Sequence, residues 1–452
     1  MIKVLIGTTV RQQPDILEEY LKSLKCLYRK NIICDYFFID DNVDIKSKGL
    51  LKSFRENITE NNVYVIESDS SNIDYIKNEN THYWREELIW KVAKNKDIIL
   101  KYALKNNYDY VFLVDSDIVL HPATLQHLLS LKKDIVSEIF WTKWNINSTE
   151  LPQVWLSDQY DLFYKNRDEK ITTNERNKRT MDFIKKLKTP GVYKVGGLGA
   201  CTLISKDALS KGVSYSEIYN ITFWGEDRHF CIRAAALGIE LFVDTHFPAF
   251  HIYRKSDLKT LDLYKRYIKD YPEYIFLPGN RLAKKDKNKI TLAMILKNEA
   301  DRYLKDVLLS VKDFISNAVI IDDASTDNSE FVCRTILKEV PLIYHKNNVS
   351  RFSNEVELRK QLWNLTLSTQ PDWILCLDAD EIFEKKIKSE IDKLINQPHY
   401  DVIGFRLFDF WNEKQYRADE NWNAHLRYWP LLVRYQPFFE YRWKETPQHC
   451  GR

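Results

Sequence analysis

The stretch Asp109–Pro122 reads DYVFLVDSDIVLHP. A run of residues suited to a buried strand ends in two carboxylates, Asp115 and Asp117, with one small residue between them. The same arrangement returns at Asp372–Glu384, DWILCLDADEIFE, with Asp378 and Asp380. Alternation along a strand points both carboxylates of a pair to one side. Two like charges this close raise each other's pKa unless a cation compensates. A hard divalent ion, Mn²⁺ or Mg²⁺, with oxygen ligands is the economical solution, and such an ion keeps open positions for phosphates. Turn chemistry also favours Asp, but a place at the end of an apolar strand, twice in one chain, favours the metal.

Outward from these two stretches the chain repeats itself. KVLIGTTVRQQPDILEEYLKSLKCL begins at Lys3, and KITLAMILKNEADRYLKDVLLSVKDF begins at Lys289. Each is an apolar β-type run, a polar turn, and a segment with apolar residues at helical spacing. YFFIDDN (Tyr36–Asn42) is echoed by VIIDDAS (Val319–Ser325), and VDSD by LDAD. No fixed short period is present, so the pattern is a duplicated domain rather than a solenoid. The boundary is expected at the basic, apolar-poor RLAKKDKNK (Arg281–Lys289), after the Pro-Gly of FLPGN. This gives a first domain over 1–280, a linker over 281–289 and a second domain over 290–452. Strand and helix alternate, so each half is expected to be α/β, Rossmann-like, with a mostly parallel central sheet flanked by helices. Ligands of such sheets bind at the carboxyl ends of the strands, where both carboxylate pairs fall.

Composition narrows the class of partner. With 452 residues, two domains are the natural prior. The 67 basic residues nearly cancel 64 acidic ones, so nothing draws the chain to nucleic acid. Seven Cys without a CxxC pair read as free thiols of a reducing compartment. No apolar run approaches the ~20 residues of a membrane span, and MIKVLIGTT is a short strand rather than a signal peptide. A cytoplasmic protein is expected, with room for peripheral contact at a membrane surface. Ser157–Pro190, highly charged, reads as a solvated helical excursion or an acceptor-side lid.

The ordered set of motifs resembles a tandem of family 2 glycosyltransferases with the GT-A fold, over nearly the whole chain. The resemblance implies a nucleotide-diphosphate sugar as donor, UDP-sugar by the family's habit. It implies a glycan, lipid-linked or protein acceptor. In the first half it places Thr8 near the nucleotide and Asp41 at the base. In VAKNK (Val92–Lys96) it puts Lys94 where the family usually has Arg. Asp115 would face ribose or metal, and Asp117 would ligate the metal. In the second half LKNEADRYL (Leu296–Leu304) is a typical family opening. Asp323 matches Asp41, ELRKQLWN (Glu357–Asn364) supplies Arg359, and Asp378 and Asp380 match the D-x-D, extended by Glu381.

Acceptor chemistry is expected after the donor motifs. GGLGACTLISKDAL (Gly196–Leu209) lacks the spacing of a P-loop; the resemblance makes it the acceptor-side strand, where small residues would let substrate approach the backbone. FWGEDRHFCIRAAALG (Phe223–Gly238) opens a helix with Trp-Gly-Glu-Asp. A helix N-terminus favours ionised carboxylates, which suits a general base on the acceptor hydroxyl. Similar enzymes use the Asp of this motif, so Asp227 is the expected base and Glu226 an acceptor contact. His251, in FPAFHIYRK, resembles the late His that completes metal coordination. The second half has no Trp-Gly-Glu-Asp. Its WKET (Trp443–Thr446) offers Glu445 as base or acceptor contact, and His449 follows as a metal ligand. Related proteins continue with a helix where this sequence stops, so the second domain reads as minimal or shortened.

Three functions compete. One is a bifunctional, inverting, metal-dependent transferase of cell-surface polysaccharide or glycoconjugate synthesis. Another is one active domain plus a non-catalytic nucleotide- or sugar-binding module. The third, a nucleotidyltransferase, expects a Gly-rich basic signature after the first strand, which neither GTTVRQQPD nor MILKNEADR supplies.

Overall fold

The computed structural model describes residues 1–69, 85–284, 286–412 and 414–444, together with the backbone of 76–77 and 82–83. Glu445 and His449 lie outside the described residues. The chain divides into two compact units, Met1–Leu282 and Ala283–Arg452. Within the stretch expected as a linker, Arg281–Lys284 is a strand, with Leu282 and Ala283 buried. Its two apolar residues, flanked by charge, suffice for a short strand.

The duplication is written in the sheets. Six strands of the first unit run Ile2–Val10, Ile32–Asp40, Val63–Glu67, Tyr110–Leu113, Ile135–Thr142 and Thr202–Ser205. Their order across the sheet is third, second, first, fourth, sixth, fifth. Ile290–Leu296, Asn317–Asp322, Leu342–Lys346, Trp373–Cys376, Val402–Phe405 and Trp429–Arg434 repeat that order in the second unit. In both, the first four strands are parallel and the sixth is antiparallel to its neighbours. The first unit extends its sheet beyond the fifth strand with Leu241–His251 and Val192–Val195. Both units are thus α/β, with mostly parallel central sheets flanked by helices.

Burial on both faces explains the near-continuous apolar strands. Strand alternation sorts them into two cores. Leu5, Phe37 and Ile39 pack on one side with Ile99 and Ala103 of the helix Glu86–Lys105. Val4, Ile6, Tyr36 and Phe38 pack on the other with Leu17, Tyr20 and Leu24 of the helix Pro14–Lys25. Pro14 starts that helix, where its missing N–H costs nothing. The second unit divides likewise, with Leu292 and Met294 on one side and Ala293 and Ile295 on the other.

The charged stretch 157–190 is half excursion and half wall. Its helix, Thr173–Leu187, is capped by Thr172 and buries Phe183, Ile184 and Leu187. Near its start, where Asp158, Gln159 and Tyr160 are exposed, the Tyr160 ring packs on Trp155 with centroids 4.2 Å apart.

Candidate active site

A cleft of about 750 Å³ opens in the first unit where the parallel strands end. Three clusters of polar side chains line it. At one, Asp41 follows the second strand. Its carboxylate takes Lys91 Nζ at 2.6 Å and Arg11 at 3.5 Å. Lys91 and Asn95 sit one turn apart on the same face of the helix Glu86–Lys105, and both line the cleft.

The second cluster is the carboxylate pair. Asp115, Ser116 and Asp117 form the turn between Tyr110–Leu113 and the short strand Ile118–Val119. That short strand pairs with the end of Leu241–His251, placing His251 opposite Ile118. His251 Nε2 is therefore 3.7 Å from Asp117 Oδ1. Its Nδ1 bonds Thr142 Oγ1 at 2.8 Å, which fixes the ring. Gln12 Nε2 donates to Asp117 Oδ2 at 3.5 Å. Two carboxylates and an oriented imidazole are a donor set that suits Mn²⁺ or Mg²⁺.

The third cluster is Lys96 with Glu226 and Asp227. The two acids occupy the first turn of the helix Glu226–Ala236. Lys96 Nζ reaches Glu226 Oε1 at 2.9 Å and Asp227 Oδ1 at 3.1 Å, and lies over the Tyr215 ring. Burial pushes Asp227 up to about 7; Lys96 pulls it back, while Glu226 and Asp115 push it further. Burial and neighbouring acids thus outweigh the helix terminus, which was expected to keep this carboxylate fully ionised. Asp115 is raised too, first by burial, with Lys96 opposing and Asp117 adding. Burial lowers the Lys96 ammonium, but the surrounding carboxylates more than reverse this and raise it well above its ordinary value.

Glycine shapes this end of the cleft. Gly225 precedes the helix at φ 106°, a conformation that side chains resist. A Cβ on Gly199 would stand 3.1 Å from Asp227 Oδ2, so the bare backbone gives the carboxylate its room. Trp144, Trp155, Tyr160, Phe223 and Trp224 form an aromatic wall.

Several expectations are corrected. Thr8 shares the sheet face of Val4 and Ile6, is buried, and bonds the Tyr20 hydroxyl; the cleft is lined by Thr9. Lys94 points outward, two-thirds exposed, to Asp69; Lys91 lines the cleft in its place, and Lys96 lies buried against Glu226 and Asp227, which line it. Gly196 and Gly197 admit protein rather than substrate. A Cβ there would meet the Leu156 carbonyl at 2.1 Å and the Trp155 ring at 1.9 Å. Asp41, Asp115, Asp117, Glu226, Asp227 and His251 do come together in one cleft. Lys96 was missed by the sequence reading.

In the second unit Asp323 follows its strand as Asp41 does: its N–H donates to Leu296 O, and that of Asp41 to Val10 O. Its carboxylate, however, is occupied by the chain. Asn347 Nδ2, Ser350 Oγ and the N–H groups of Arg351 and Phe352 donate to it at 2.6 to 3.1 Å. Arg359 bonds Glu355 and lies 3.9 Å from Asp378. Glu381 closes the turn by accepting from Asp378 N at 2.9 Å. Asp380 is exposed.

Comparison with known proteins gives these clusters a context. Residues 291–451 match the glycosyl transferase family 2 model, and residues 1–191 match the model for the N-terminal domain of glycosyltransferase family 25. The SPbeta prophage-derived glycosyltransferase SunS of Bacillus subtilis (strain 168) is 30% identical over 113 residues, 25% of this chain and 24% of that protein. Glycosyltransferase SunS of Bacillus phage SPbeta gives the same figures. The chain thus spans about a quarter of the length of these relatives. Among solved structures, S. aureus TarS 1–349 aligns with a TM-score of 0.33 at 14% identity, over 55% of this chain and 60% of that one. S. aureus TarS gives 0.34 and 14%, over 59% and 39%. A glycosyltransferase family model thus matches each half of the chain, over two sheets of one strand order, and the match on the second half is to family 2.

Proposed function

We propose that the first unit transfers a sugar from a nucleotide-diphosphate sugar, UDP-linked by preference, to an acceptor hydroxyl with inversion. The supporting observation is the Lys96–Glu226–Asp227 cluster, whose two acids line the same cleft as Asp115, Asp117 and His251. Arg11, Asp41 and Lys91 serve the nucleotide. The aromatic wall stacks on sugar faces and keeps water from the donor. Asp227, ionised, accepts the acceptor's proton at its carboxylate, and Lys96 holds that carboxylate in place. A pKa near 7 suits a base working at neutral pH. Asp117 and His251 would hold Mn²⁺ or Mg²⁺, which when bound supplies charge neutralisation for the departing diphosphate. The products belong to surface polysaccharide or glycoconjugate synthesis. No helix among the described residues is long and apolar enough to cross a membrane, and contact with the membrane surface is compatible with this role.

For the second unit two readings stand. Asp323, Arg359, Asp378 and Asp380 support a second donor site, with Glu445 and His449 completing it. The occupied carboxylate of Asp323 supports the alternative of a non-catalytic module. Separate Asp117→Ala and Asp380→Ala variants decide. In the bifunctional reading each raises the metal requirement of one distinct transfer or donor hydrolysis by ~100-fold or more, at or beyond the top of the ~10–100-fold that loss of an outer partner of a ligand costs. If Asp380→Ala leaves every activity intact, the second unit is a module. If neither matters, the metal reading fails.

Gly199→Ala tests the placement of the base. The added methyl must displace Asp227 by a few tenths of an ångström. Turnover is expected to fall by roughly 10-fold, short of the ~10²-fold that a misplacement of about 1 Å can cost. The melting temperature should hardly change, because the methyl borders an open cleft. Unchanged turnover would remove Asp227 from the reaction.

A further inference from the structure

Lower on the sheet of the first unit, Asp244 and His246 alternate on the strand Leu241–His251 and share one face. The helix Thr124–Ser130 brings His127 against them. His127 Nε2 is 3.1 Å and His246 Nδ1 2.7 Å from the same oxygen, Asp244 Oδ1. The candidate ligand atoms lie within 4.8 Å of one another. None of the three residues lines the cleft.

We propose that His127, Asp244 and His246 form a second metal site, separate from the cleft, for a transition ion of the Zn²⁺ class. Two imidazoles and a carboxylate suit such an ion and not Mg²⁺ or Ca²⁺, which prefer oxygen. Three protein ligands leave one position open, and the partly exposed histidines give an entry path. Without an ion, both ring nitrogens must be protonated to satisfy one oxygen; an ion takes both lone pairs.

The surroundings are those of a built site. Asp244 is wholly buried, and its Oδ2 accepts from His246 N at 3.0 Å. Beneath it Glu138, also wholly buried, accepts from Phe247 N through Oε1. Glu138 Oε2 has no hydrogen-bond partner among the described residues. The ion would tie the helix Thr124–Ser130 to the strand whose far end carries His251.

The full chain, stripped with a chelator, is titrated with Zn²⁺, dialysed, and its bound metal counted. One Zn²⁺ is expected to stay, and the melting temperature to rise with added Zn²⁺. His127→Gln and His246→Gln should weaken retention by at least ~10-fold and abolish the thermal response. Gln keeps a donor for Asp244, and circular dichroism checks that these variants fold. Asp117→Ala should retain Zn²⁺ as the parent does. Co²⁺ should show ligand-field absorption that both Gln variants lose. Absent retention, equal retention in parent and Gln variants, or retention lost in Asp117→Ala would each overturn the proposal.

Discussion

Asp227→Asn is expected to lower transfer by about 10²–10⁴-fold, the usual worth of a general base. Asn keeps the shape and an oxygen for Lys96 but cannot take a proton. The apparent affinity for donor should stay near that of the parent, because the nucleotide end of the cleft is untouched. The pH profile supplies an independent check. Asp227 must be ionised to work, and it is pushed up to about 7. The parent's rate should therefore fall as pH drops through about 7 and level off above it. The residual rate of Asp227→Asn should lose this acid limb. Initial rates of metal-dependent transfer from mildly acid to mildly alkaline pH measure both. A variant that keeps the limb would place the base elsewhere.

What the sequence revealed about this site follows physical lines. The carboxylate pairs were legible because strands buried on both faces rarely end in two acids. The second helix start was legible because Trp-Gly-Glu-Asp breaks an apolar pattern abruptly. Phase was harder. VLIGTTV is buried on both sides of the sheet, so no alternation marks whether Thr8 or Thr9 turns outward. On the helix Glu86–Lys105 a shift of two or three residues changes the face: Lys94 reaches solvent, whereas Lys91 lines the cleft and Lys96 is buried against Glu226 and Asp227. One signal could have exposed Lys96. It continues a stripe of Ile89, Ala93 and Leu100 at helical spacing, and a lysine on such a stripe calls for a buried partner. Asp323 could not be distinguished from Asp41 by sequence. Both follow matching strands, and the loop that occupies Asp323 closes on it from residues 347–352.

Lys96→Met should be the most destabilising single change near the cleft, costing about 3–5 kcal/mol, because it strands buried charges that had a partner. Met fills much of the volume, so the loss is electrostatic rather than a cavity. Its pH dependence separates it from a packing defect. In the parent, Lys96 stays charged at all pH values below the ordinary lysine range, and its favourable contribution comes from its carboxylate neighbours, so it fades as those acids take up protons. In the variant, Asp227 loses the cation that pulls its pKa down, so its folded pKa climbs further above the unfolded value of ~3.9. An acid raised in this way binds its proton more tightly when folded. Its destabilisation starts above the unfolded pKa, grows as pH rises, and is complete above the folded pKa. Denaturant unfolding should show parent and variant converging toward pH 4–5 and diverging above roughly pH 8. The acid limb of the rate should move to higher pH by the same cause. A pH-independent loss would indicate packing, and an unmoved acid limb would separate Lys96 from the base it is placed to hold.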